Sequence, residues 1–176
     1  MDPFATLGLP RRYAVDKSAL DRRYRELQQT LHPDKHAGAP ASQRALTLRK
    51  AIEVNEAYRV LRDDQKRAEA LLATLGGQVT DHSADPELLM EMMELREALS
   101  EARAERDTAK VAKLAAQVGE QAANARQELA GVFDELQGQS DNEANALQRA
   151  AAILGRLRYY RRFQDEVALF EDEALV

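Results

Sequence analysis

The chain has no cysteine and no tryptophan. Without cysteine, disulfides and thiolate metal sites are excluded outright. Aromatic residues make up only 5%, so a core has to be assembled mainly from Leu, Val, Met and Ala. No apolar run approaches the roughly 18 to 20 residues that span a bilayer, and Met1 to Thr6 has neither the basic stretch nor the apolar run of a secretory leader. A cytoplasmic location without membrane insertion is expected. There is no glycine-rich phosphate cradle and no pairing of catalytic groups in a pocket-forming context, so the chain is not expected to be an enzyme or to carry a cofactor.

What is present is charge, at 31% of 176 residues, unevenly placed. Residues 1–75 carry 14 Lys/Arg against 10 Asp/Glu, a balance of +4, and residues 76–176 carry 11 against 20, a balance of −9. The halves therefore carry opposite fields and suit different partners. The acidic total of −5 argues against a general nucleic-acid binder. The break falls at Gly76-Gly77, followed by small polar residues up to Pro86, a composition that makes a linker rather than an element. The predicted organisation is one domain at 1–75, a linker at 76–85 and a second domain at 86–176.

Helical periodicity runs through both halves and no window alternates as a strand does, so the predicted fold class is all-α. Phe4, Leu7 and Leu9 form a short apolar segment closed by Gly8 and Pro10. Asp16 then caps a helix whose Leu20, Tyr24, Leu27 and Leu31 recur at helical steps along a core face. A loop of about ten residues from His32 to Pro40, long for a helical hairpin, leads to a second helix from Ala41 or Ser42. That helix carries Ala51, Val54, Ala57, Tyr58 and Leu61 on one face, and a short helix from Gln65 to Leu75 follows. In the second half, stripes through Leu88 to Ala102, Val111 to Val132 (with Leu114) and Leu147 to Val167 predict three amphipathic helices in a small bundle, with Gly138 to Asn142 between the last two.

With Leu20, Tyr24, Leu27 and Leu31 inward at 100° per residue, Arg22, Arg25 and Gln29 fall on the solvent side and Lys35 follows just beyond the helix. Glu26 beside them is expected to weaken the positive face. Pro33 fixes a backbone angle, so His32 and Asp34 are displayed with little freedom. By itself His32-Pro33-Asp34 is also compatible with loop capping, or with a weak metal or acid–base grouping that includes His36. Followed by Val54-Asn55-Glu56-Ala57-Tyr58-Arg59-Val60-Leu61 and Gln65-Lys66-Arg67-Ala68, it resembles the J-domain family. That resemblance implies an antiparallel hairpin whose loop and basic helix stimulate the ATPase of a chaperone, with His32, Pro33 and Asp34 essential and Arg22, Arg25 and Lys35 attracting an acidic patch.

On the first bundle helix Leu89, Met93, Glu97 and Glu101 are spaced by four and so share a face, flanked by Met90 and Glu94. Two readings remain open from periodicity: an interaction site graded from apolar to acidic, or a core face three positions wide per heptad. Tyr159, among Arg158, Arg161 and Arg162, is expected to be exposed opposite Leu157 and Tyr160, as an interface anchor. Leu89 to Glu97 and Arg67-Ala68-Glu69-Ala70-Leu71-Leu72 are similar to segments of the HscB family of iron–sulfur co-chaperones, as is the start from Asp2 to Pro10. This resemblance implies an HscA-type chaperone and an IscU-type scaffold as partners, and a scaffold surface of Leu89, Met90, Met93, Glu94, Glu97, Glu101 and Tyr159; a monomer is expected, and without cysteine no metal. His36 stands where that family commonly has Phe, and Tyr159 where it typically has Phe. A general J-domain protein for unfolded clients, or a purely structural helical adaptor, are the competing readings.

Overall fold

A computed structural model of the chain describes residues 1–79, 85–138 and 142–174. The chain divides into two compact units, Met1–Gly76 and Gly77–Val176. Every regular element among the described residues is helical. The expected linker at 76–85 includes Thr80 to Ala84, and the expected turn at 138–142 includes Gln139 to Asp141; both stretches lie outside the described residues.

In the first unit α1 (Pro3–Leu7) is short and closed at both ends. The Asp2 carboxylate accepts from the Phe4 and Ala5 amides, and Gly8 takes a left-handed φ of 64° to end the helix. This turn drives Phe4 and Leu7 to zero exposure. Helix α2 (Lys17–Thr30), capped by Asp16, and α3 (Ala41–Arg62) form the hairpin. Asp63 accepts from the amides of Gln65 and Lys66 and so restarts the chain as α4 (Asp64–Thr74).

Helices α1 and α4 cover only the base of the hairpin. Leu20 is buried, but Tyr24, Leu27 and Leu31, all expected on the core face, are half-buried, and no residue from Ala41 to Lys50 is buried. Leu46, Leu48 and Ile52 are largely exposed. Along the middle of the hairpin its arms are joined instead by polar and aromatic contacts. The Tyr24 and Tyr58 rings stack at 3.9 Å between centroids, 11° from parallel. The Tyr58 hydroxyl donates to Asp21 at 2.8 Å, and that bond, with burial, pushes its pKa above the usual tyrosine value. Tyr24 donates to Asn55 at 3.1 Å.

The base has a buried cation, which the periodicity of α4 does not disclose. Arg67, 6% exposed, donates to the carbonyls of Tyr13 at 2.8 Å and Leu61 at 2.7 Å and to Asp64 at 2.7 Å. Its guanidinium also lies 5.4 Å from the centroid of the Tyr13 ring.

The second unit comprises α5 (Pro86–Glu105), α6 (Thr108–Gln137) and α7 (Glu143–Ala174). The α5–α6 turn is only two residues, Arg106 at a left-handed φ of 55° and Asp107, whose carboxylate caps α6 through the Lys110 amide. Ion pairs Arg149–Glu135 at 2.8 Å and Arg156–Glu128 at 2.6 Å set α6 and α7 antiparallel. Lys110–Glu101 and Gln121–Glu91 do the same for α5 and α6. Helices α5 and α7 therefore run parallel, joined by Arg96–Glu166 at 2.9 Å and by Arg103 over the Phe170 ring.

The stripes of α5 and α6 are buried largely as the sequence predicts, except that Leu114 is only half-buried. On α7 the expected Leu154, Leu157, Tyr160 and Val167 are buried, and the start of the seam differs. It runs through Ala146, Ala150, Ile153, Leu157, Tyr160 and Val167, with Leu154 and Phe163 beside it, and Leu147 is half-buried. The spacing of four and three is that of a bundle seam. Alanines occupy its first two positions, which is why Leu147 draws the eye one residue too far along.

Candidate functional site

At the tip of the first unit Pro33–His36 forms a single 3-10 turn. His32 precedes it in the extended region, φ −61° and ψ 131°, as a residue before proline is driven to be. The His32 ring turns back over the turn it opens. Its Nδ1 accepts from the Asp34 amide at 3.3 Å and lies 3.6 Å from an Asp34 carboxylate oxygen. With the ring neutral and protonated on Nε2, the amide contact is the bond; with the ring protonated on both nitrogens, Nδ1 instead faces the carboxylate. Either state ties the His32 ring to Asp34, through its amide or through its carboxylate, yet the two side chains remain 57% and 90% exposed. Beyond this local cap of the turn, the core of the unit does not draw on them.

His36 does not join them as a third ligand. Its Nε2 bonds the Thr30 carbonyl at 2.9 Å.

Arg22, Arg25 and Gln29 are exposed on α2 and Lys35 on the turn. Among the described residues none of the three cations has an ion pair. The expected weakening by Glu26 is countered locally. Arg23, anchored on the Leu7 carbonyl at 3.0 Å, pairs with Glu26 at 3.2 Å. Arg22 and Arg25 along α2 and Lys35 on the turn thus present three positive charges without an ion pair among the described residues, leading up to the His-Pro-Asp edge. A partner meeting it should be acidic and accept hydrogen bonds.

The second unit carries the other group of predicted residues. Leu89, Met90 and Met93 are 39%, 64% and 71% exposed, which removes Met90 and Met93 from the core and leaves Leu89 at its edge. Glu94, Glu97 and Glu101 are exposed on the same helix. Glu101 is drawn to Lys110 at 3.3 Å across the α5–α6 turn, whereas no ion pair engages Glu94 or Glu97 among the described residues.

Tyr159 is half-buried rather than exposed as expected, with the Arg162 guanidinium 5.7 Å from its ring centroid. The parallel run of α5 and α7, fixed by Arg96 with Glu166, brings Tyr159 to the level of Leu89 and Met90 along the bundle. Just inside it, burial raises the pKa of the Tyr160 hydroxyl, helped by the nearby Glu91 carboxylate. The apolar part of the α5 face and an aromatic edge therefore stand at one level of the bundle, and the carboxylates extend along α5 from it toward the α5–α6 turn.

Sequence reasoning did not foresee the Arg23–Glu26 pair or the bond from His36 to Thr30. The first is an i,i+3 pair within α2, a spacing the sequence does show; the second depends on side-chain reach at the end of α2, which leaves no periodic signal.

Residues 2–70 match the DnaJ domain family, and residues 84–168 match the family described as the HSCB C-terminal oligomerisation domain. The chain is 34% identical over 178 residues to the co-chaperone protein HscB homolog of Vibrio atlanticus (strain LGP32), covering 99% of each. With the homolog of Azoarcus sp. (strain BH72) it is 42% identical over 106 residues, and that match spans 58% of this chain and 60% of the relative. Among solved structures, chaperone HscB from Vibrio cholerae superposes with a TM-score of 0.83 at 30% identity, over 98% of this chain and 99% of that one. The human co-chaperone protein HscB gives 0.82 at 25% identity, over 96% and 81%.

Proposed function

Because the chain belongs to the HscB co-chaperone family, we propose that it stimulates the ATPase of an HscA-type chaperone and delivers to it an IscU-type iron–sulfur scaffold protein. In this reading 1–75 is the J-domain, 76–85 the linker and 86–176 the scaffold-binding domain. The observation that carries it is the hairpin, where exposed His32 and Asp34 follow a helix face carrying Arg22 and Arg25, with Lys35 on the turn, and none of the three cations has an ion pair among the described residues. The chain itself transforms no substrate and acts in the cytoplasm; among the described residues no helix is long and apolar enough to cross a membrane.

The direct test is the steady-state ATPase rate of an HscA-type chaperone with IscU, with and without this protein. Stimulation that requires both the chain and the scaffold supports the reading. A folded chain that leaves the rate unchanged sinks it, in favour of a helical adaptor. Stimulation that is indifferent to IscU favours a J-domain protein for general clients.

Scaffold binding is assigned to Leu89, Met90, Met93, Glu94, Glu97, Glu101 and Tyr159. Truncating exposed apolar anchors at the centre of an interface costs about 2 kcal/mol or more. Leu89→Ala with Met93→Ala should therefore weaken IscU binding by at least about thirtyfold in calorimetry. Glu97→Gln should weaken it a few-fold and lower its salt sensitivity, since peripheral charges act mainly on encounter. Glu101→Gln should do less, because Lys110 already engages that carboxylate. Equal losses at 97 and 101 would contradict this ranking.

The same face could serve self-association, as the name of the matched family would have it. Two copies meeting there would bring the unpaired Glu94 and Glu97 carboxylates toward one another, which is unfavourable. We therefore assign a monomer, and sedimentation at micromolar concentration should give the mass of one copy.

A further inference from the structure

The tripeptide is bracketed by two imidazoles, and the second has no assigned role. Helix α2 ends at Thr30, and the final carbonyls of a helix lack intrahelical donors. The Leu27 carbonyl takes the Leu31 amide, and the Thr30 carbonyl takes His36 Nε2 at 2.9 Å. His36 is half-buried in a cleft it lines with Leu31, Pro33, Leu48 and Ala51. Its ring thus does two things: it walls one side of the cleft between the turn and α3, and it ties the end of the turn to the end of α2.

A phenylalanine could wall the cleft but could not make the bond. A carbonyl oxygen only accepts, so His36 must carry a proton on Nε2. His32 supplies the complementary contact at the other end, where its Nδ1 accepts from the Asp34 amide. The 3-10 turn is therefore closed at its start by an accepting imidazole and at its finish by a donating one.

We propose that His36 is a positioning residue that latches the His32-Pro33-Asp34 turn onto the end of α2, holding the tripeptide in register with Arg22 and Arg25. The latch is a property of the free chain. Its effect on the chaperone rests on the function proposed above. A pre-formed edge spares the cost of ordering the turn on contact, so losing the latch should weaken engagement without altering what the engaged complex does. In ATPase titrations His36→Phe should raise the half-maximal concentration roughly two- to tenfold, the range one neutral hydrogen bond supplies. The maximal stimulated rate should stay unchanged. His36→Gln, whose amide can reach the same carbonyl, should recover part of the loss.

Two measurements on the full chain alone accompany the titration. Nitrogen NMR of the His36 ring at neutral to mildly alkaline pH should find the Nε2–H tautomer, and backbone relaxation at Asp34 and Lys35 should show more rapid motion in His36→Phe than in the wild type. An Nδ1–H tautomer, or unchanged relaxation in His36→Phe, overturns the latch. A maximal rate that falls while the half-maximal concentration holds overturns the positioning role. If the wild type stimulates nothing, the proposed function fails, and the two NMR readouts still decide the latch.

Discussion

Replacing His32 by glutamine should abolish stimulation of the chaperone ATPase and leave the thermal unfolding of the protein unchanged. The two halves of that expectation come from the same geometry. His32 and Asp34 are 57% and 90% exposed and contact chiefly each other, so neither removes core when it is changed. Surface substitutions of this kind usually stay within about 0.5 kcal/mol in stability. In a complex the same groups would be desolvated at the centre of the contact, where truncation costs about 2 kcal/mol or more, at least about thirtyfold. Asp34→Asn should behave similarly, since it removes the charge and keeps the shape. Lys35→Ala should instead raise the half-saturating concentration and reduce its salt dependence, leaving the maximal rate. Full stimulation by His32→Gln would show that the tripeptide is only a turn.

Arg67→Ala should destabilise the first unit as much as removing a buried core side chain. The side chain is 6% exposed and serves three acceptors, the Tyr13 and Leu61 carbonyls and Asp64. Alanine leaves the buried Leu61 carbonyl without this donor and removes the cation from the Tyr13 ring. Breaking such a network costs about 3 to 5 kcal/mol. For a unit of this size that lowers the melting temperature by about 12 °C or more. Lysine should recover little, because an ammonium on a flexible stem cannot reproduce the planar fork that reaches three acceptors. Circular dichroism melts of the full chain would read the change. A shift of only a few degrees for Arg67→Ala would mean that water replaces the guanidinium at little cost.

These two sites differ in how far the sequence foretells them. The tripeptide is legible because it rests on local rules: Pro33 restricts the backbone, and a four-three-four apolar step aims Arg22 and Arg25 away from Leu20. Arg67 is opaque for the opposite reason. In Arg67-Ala68-Glu69-Ala70-Leu71-Leu72 it reads as a solvated charge, and its burial depends on a carbonyl at Tyr13, fifty-four residues earlier. The half-exposure of Tyr24, Leu27 and Leu31 was likewise hidden. Periodicity tells which face of a helix turns inward, but not whether another element arrives to cover it. On α7 the seam begins with Ala146 and Ala150, and small residues give a weak hydrophobic signal even when fully enclosed. The face of Leu89, Met93 and Glu97 was readable as a face, and only its exposure counts against a wide core.

The stacked Tyr24 and Tyr58 rings have an optical consequence. The chain contains five tyrosines and no tryptophan, so its near-ultraviolet absorption and emission come almost wholly from phenol chromophores. Two of these lie 3.9 Å apart and nearly parallel, close enough for their transition dipoles to couple and for excitation to pass between them. One phenol belongs to α2 and the other to α3. Their coupled dichroism is therefore a built-in, label-free gauge of whether the two arms beneath the His-Pro-Asp turn are closed, readable in the unmodified protein while a partner is titrated in.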